Sequence, residues 1–134
     1  MAKKQHTKLA ALERRAARIR KKLAGTTDRP RLTVYKSNAH MYAQIVDDSR
    51  GATLAFASTL SKEIRDAVKE KSKTEAAMLV GNLIAEKAKA ADVTKVVFDR
   101  NGFPYQGSDP EVEGSRPNRV AAVAEAARKA GLEF

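Results

Sequence analysis

Two periods of apolar residues alternate along the chain. Between Thr7 and Ala24, Leu9, Leu12, Ala16, Ile19 and Leu23 recur at helical spacing and draw a narrow apolar stripe. This predicts an amphipathic helix, with Gly25 as its stop. After Pro30 the period drops to two. Arg31–Lys36, His40–Asp47 and Ala52–Leu60 predict three strands separated by the turn-rich breaks 37–39 and 48–51. Connections this short demand an antiparallel meander. Strict alternation assigns Leu32, Val34, Met41, Ala43, Ile45, Leu54 and Phe56 to a core face. It assigns Arg31, Thr33, Tyr35, His40, Tyr42 and Gln44 to a wet one.

Helical spacing then returns. Ser61 is the expected cap of a short helix over 62–68, and Thr74 that of a longer one over 75–91. The longer helix presents Ala77, Val80, Leu83, Ile84 and Ala88 on one face, and Gly81 within it predicts close packing against the sheet. Lys95–Phe98 is a short apolar strand that, after a crossover helix, lies parallel beside the first. Residues 99–118 form a long loop. Asn118 or Ser115 caps a last helix over 119–130, with Gly131 at its C′ position. The fold class is α/β: a three-stranded antiparallel meander extended by a strand after a crossover helix. Residues 1–28 form a basic helical arm, and 29–134 a single globular domain.

Charge sharpens that division. Residues 1–36 hold twelve Lys or Arg against Glu13 and Asp28, which is the whole formal net charge of +10, while 37–134 hold fourteen of each sign. Charge segregated in this way is useful mainly against a polyanion, whose condensed counterions it releases. A solvated tail that confers solubility is the plainer reading of the same residues. The wet strand face adds Tyr35, His40, Tyr42 and Gln44 beside Arg31. Rings and amides on an open sheet suit stacking on RNA bases, but they also suit an ordinary wet sheet face. Arg100 is exposed at a strand end, and Tyr105 and Arg119 follow near a helix start, where backbone donors favour phosphate.

The remaining composition excludes. Without Cys there are no disulfides or thiolate metal sites, and His6 and His40 alone do not make a typical zinc site. No apolar run approaches the ~20 residues of a membrane span. The basic N-terminus lacks the apolar segment of a secretory signal, so cytoplasm is the expected compartment. A metal-dependent nuclease needs several converging carboxylates. The first strand has none, Asp47 and Asp48 lie at a turn, and Asp99 stands alone beside Arg100, with which it suits an ion pair or a turn. No phosphate-binding loop, nucleophile elbow or zinc-protease motif is present. Neither catalysis nor a cofactor is expected.

The blocks Arg29-Pro-Arg-Leu-Thr-Val-Tyr-Lys36, Ser37–Gln44 and Ala57-Ser-Thr59 resemble the start of the bacterial large-subunit ribosomal protein eighteen family. Val97–Phe103, Tyr105-Gln-Gly107 and Ala126–Phe134 are similar to its later blocks, in order and over nearly the whole chain. The resemblance implies a ribonuclease H-like α/β domain without catalytic acids. It implies binding to 5S rRNA, attachment of that RNA to 23S rRNA in the central protuberance, and neighbouring 5S-binding proteins as partners, with no membrane and no small-molecule substrate. The implied RNA contacts are the basic arm (Lys3, Lys4, Lys8, Arg14, Arg15, Arg18, Arg20, Lys21, Lys22 and Arg29), the strand face and its turn (Arg31, Lys36, Ser37, Asn38, His40, Tyr42 and Gln44), and Arg100, Tyr105 and Arg119. One departure stands out. The family runs from Tyr-His-Gly directly into Arg-Val and the last helix. Here Gln106 replaces the His and an acidic insert, 108–118, intervenes; its Asp109, Glu111 and Glu113 predict a loop facing solvent or a basic protein neighbour. A free-standing RNA-binding regulator is the competing reading.

Overall fold

A computed structural model describes residues 2–107 and 117–134, with side chains from Leu9 onward. Helix α1 (Ala2–Lys22) precedes strands β1 (Arg31–Lys36), β2 (Met41–Asp47) and β3 (Ala52–Ser58). Helices α2 (Arg65–Val68) and α3 (Lys73–Ala90), strand β4 (Val97–Asp99) and helix α4 (Arg119–Lys129) follow. One sheet of order β3-β2-β1-β4 results. β1 and β3 flank β2 antiparallel, and β4, returning after α3, runs parallel to β1. This is the α/β arrangement that the alternating periods predict.

Helices α3 and α4 cover one face of the sheet. Leu32, Val34, Met41, Ala43 and Ile45 meet Val80, Ile84, Val120 and Val123 in one buried cluster. At ~25 cal/mol per Å² of apolar surface, such residues supply most of the folding drive. Gly81 serves the contact between the helices rather than the sheet: a Cβ there would collide with the Val123 carbonyl oxygen and the Ala126 methyl. The caps are partly those expected. Asn118 accepts from the Ala121 amide, and Gly131 (φ +115°) closes α4 with bonds from Gly131 N to Arg128 O and Leu132 N to Ala127 O. Ser72, not Thr74, caps α3 in a capping box with Glu75. Ser61 does not cap α2; its hydroxyl accepts from the Ser58 amide.

One sequence expectation fails inside the sheet. The β2–β3 register shifts between Ile45 and Val46, so Phe56 pairs with Gln44 and Ala55 with Ile45. Ala55 and Ala57 therefore face the core and Phe56, 47% exposed, stands on the wet face. Leu54, beside the bulge, stays half-buried against the core. Helix α3 packs on β3, where the inward residues are Ala55 and Ala57, and the bulge re-aims the strand.

Candidate nucleic-acid interface

The apolar stripe of α1 is anchored on the turn after β4. Ala16 is buried, and Leu12 and Ala16 lie on Gly102, where a Cβ would sit 2.6 Å from the Leu12 carbonyl oxygen. Gly102 also holds φ +81°, a second reason for glycine. Arg15 Nε donates to the Gly102 carbonyl at 3.1 Å, and Arg20 donates to Asn101 Oδ1 at 2.5 Å. The helix ends at Lys22. Gly25 lies beyond the helix end, buried where the chain passes against Arg31 N and Val46 O. Docked this way, α1 leaves Arg14, Arg18, Lys21 and Lys22 exposed, with no hydrogen bond or ion pair to any described residue. Arg15, Arg18 and Lys22 line one groove with Arg100 and Ile19. Arg100 thus joins the helix, although one of its nitrogens donates to the Phe103 carbonyl at 2.9 Å.

Other cations are committed within the body. Arg31 Nε and Nη2 grip Asp48 at 3.0 and 3.1 Å, and Nη1 donates to Asp99 at 2.8 Å. The Arg31 side chain is 12% exposed and that of Asp99 0%. Asp48 raises the Arg31 pKa through this hydrogen bond, with Asp99 adding to it, and the same contact holds the Asp48 carboxyl below its ordinary value. Asp99 therefore pairs with Arg31 and not with its neighbour Arg100, and it also accepts from the Asn101 amide, which shapes the turn. Asp47 accepts from Ser49, Arg50 and Thr27, and these bonds, the Ser49 hydroxyl first, hold its carboxyl far below the usual range. Arg119 reaches across the fold to donate to the Ser37 carbonyl at 2.9 Å, pinning the β1–β2 turn.

The wet face carries rings in two adjacent rows. Tyr35 pairs with Tyr42 in register, centroids 6.0 Å apart, and Tyr35 also meets Phe103 edge-on at 5.7 Å. Lys36 lies 5.6 Å above the same Phe103 ring. In the next row Thr33, Gln44 and Phe56 follow one another across β1, β2 and β3. At the end of the sheet, His40 lies just outside β2 and its Nδ1 is 2.9 Å from the Thr59 hydroxyl; Ser37 closes the turn with His40, and Asn38 is exposed.

The family model for ribosomal L18 of archaea, bacteria, mitochondria and chloroplast matches residues 6–134. The chain belongs to the ribosomal L18 family. It is 58% identical to the large ribosomal subunit protein uL18 of Myxococcus xanthus over 128 residues, 96% of this chain and 98% of the relative. The uL18 proteins of Sorangium cellulosum and Petrotoga mobilis are 51% and 47% identical over 95% and 98% of this chain, and each is covered to 98%. For a member of a ribosomal family the charge segregation has an obvious object, and among the described residues no group of acids or histidines forms a metal site.

Measured against the residues expected to touch RNA, this L18 chain brings two groups together. Arg15, Arg18, Lys22 and Arg100 form the first; Tyr42 and Gln44 share the wet face in the second, while Lys36, in register with core-facing Met41, reaches the Phe103 ring at the strand's end. Lys3, Lys4 and Lys8 belong to the first turns of α1, and Arg29 is exposed beyond its end. Arg31 and Arg119 are spent on internal partners. Tyr105 stands apart: its ring packs on Phe98, whose register partner Leu32 faces the core, so Tyr105 borders the opposite face from Tyr42. The acidic residues of the insert, 109–113, lie outside the described residues. Phe56 joins the wet face unforeseen, because strict alternation carried past the bulge counted it as core.

Proposed function

We propose that this chain binds 5S rRNA and helps attach it to 23S rRNA in the central protuberance of the large ribosomal subunit. It acts as a non-catalytic constituent of the cytoplasmic ribosome beside other 5S-binding proteins. The observation that carries this reading is the groove in which Arg100 meets Arg15, Arg18 and Lys22, next to cations with no internal partner. Cations held close together by a folded turn suit the phosphates of a structured RNA, and family membership supplies the ribosomal context. Residues 1–28 supply affinity, while the body, 29–134, sets register through the wet face. We read that body as ribonuclease H-like in shape but without its chemistry, since Asp47, Asp48 and Asp99 are all engaged with basic side chains.

A gel shift of the full chain against 5S rRNA, a 23S fragment and random RNA of equal length tests the reading. The expected result is 5S selectivity that survives at salt concentrations where random RNA is released. Equal affinity for all three RNAs contradicts it. Co-sedimentation with the large subunit separates a ribosomal constituent from a free-standing regulator, which would remain in the supernatant.

A further inference from the structure

Across the wet face, Asp99, Thr33, Gln44 and Phe56 are register partners on β4, β1, β2 and β3. Asp99 is occupied by Arg31, but the next three side chains open on a cleft of about 400 Å³ that Arg20, Tyr42 and Asn101 also line. Thr33 is only 7% exposed, and its hydroxyl has no hydrogen-bond partner among the described residues. A hydroxyl withdrawn from water without a partner costs free energy, and folded proteins rarely leave one so. The Gln44 amide, half-buried beside it, also has no partner among the described residues. Phe56 leaves nearly half of its surface in solvent. An exposed ring, an unpaired amide and an unpaired hydroxyl therefore stand in line over two strand spacings, about 10 Å.

Each of these groups lacks what a nucleotide supplies. The ring lacks a stacking partner, the amide a partner with both donor and acceptor, and the hydroxyl a hydrogen bond. A duplex cannot present a base edge and a base face to the same row, because its bases are paired and stacked. We propose that the cleft holds one unstacked nucleobase of the RNA partner. The base stacks on Phe56, its polar edge meets Gln44, and the Thr33 hydroxyl makes the innermost hydrogen bond. Arg20, whose side chain is half exposed on the rim and tied to Asn101 and Asp99, swings from these partners to the nucleotide's phosphate. The proposal rests on the RNA-binding reading above.

Three variants of the full chain test it by affinity for 5S rRNA and for random RNA, with melting of the free protein as a control. Phe56→Ala is expected to weaken 5S binding about tenfold. Thr33→Val, which keeps the shape and deletes the hydroxyl, is expected to weaken it several-fold while the free protein melts no lower than wild type. Thr33→Ser keeps the hydroxyl and is expected to bind as wild type. None of the three should change affinity for random RNA. Wild-type 5S affinity in both Phe56→Ala and Thr33→Val overturns the proposal. So does a loss confined to Phe56→Ala, which would mark an open stacking surface, and so does an equal loss on both RNAs. Wild-type protein that fails to prefer 5S rRNA overturns the underlying RNA reading, before any variant is compared.

Discussion

Arg18 and Arg31 belong to the same basic N-terminal segment, and composition treats them alike. In the folded chain they do opposite things. Arg18 stands exposed on α1 beside Arg15, Lys22 and Arg100, with no ion pair to any described residue. Arg31 is nearly buried and holds Asp48 and Asp99 together across the edge of the sheet. A cation already held by two carboxylates has little charge left for a phosphate, and breaking its pairs would leave the buried Asp99 with only the Asn101 amide and the more distant Arg20. The +10 of the N-terminal third is therefore not one reservoir: one part faces outward without a partner among the described residues, and another holds the sheet and the turn after β4.

The sharpest way to break this comparison is Arg31→Ala. Removing one partner of a buried pair is expected to destabilise the fold by about 3–5 kcal/mol. The salt dependence of RNA binding by the surviving folded protein should be unchanged. Denaturant melts and salt titrations read the two quantities separately; a lower salt slope without lost stability would move Arg31 to the outward group. Arg119→Ala comes next. Its loss frees the Ser37 carbonyl and should cost about 1.5–3 kcal/mol, the range for hydrogen bonds to charged groups, with hydrogen exchange rising first in the 37–40 turn.

Acid sharpens the same contrast. The Asp48 carboxyl is held below its ordinary value of 3.8 chiefly by the Arg31 hydrogen bond. Its contribution to stability is therefore complete above pH 3.8 and is lost as the pH falls from there toward the lowered value. Wild-type melting temperature should drop over that window, and the drop should be smaller in Arg31→Ala, where Asp48 titrates nearer 3.8. The smallest effect is expected at Arg18→Ala: no measurable change in melting, and a salt slope lower by roughly one for every RNA tried.

How much of this was legible depends on the distance between the residues involved. Period-two and helical spacing are local, so the meander, the crossover helix and the last helix with Gly131 could be read directly, and Asn118 was one of the two caps expected for it. The bulge between Ile45 and Val46 breaks the register in a way that strict alternation does not reveal, and Phe56 was misplaced as a result. The ion pairs of Arg31 were invisible because Asp99 lies 68 residues away in sequence. Asp99 beside Arg100 suggested an ion pair or a turn, and the fold makes the turn, through the Asn101 amide, and not the pair. That Gly102 seats α1 follows only from the approach of Leu12 and Ala16. Of the candidate site, its residue types were readable, but which cations remain free was decided by tertiary partners.

The central claim is that the outward cations of α1, and not the committed ones, supply the electrostatic affinity. The most direct measurement is the salt dependence of 5S rRNA binding by the full chain carrying Arg14→Ala, Arg18→Ala, Lys21→Ala and Lys22→Ala together. The slope of log affinity against log salt is expected to fall by about three to four relative to wild type, with the melting temperature of the body unchanged. An unaltered slope in a folded quadruple variant would contradict the account.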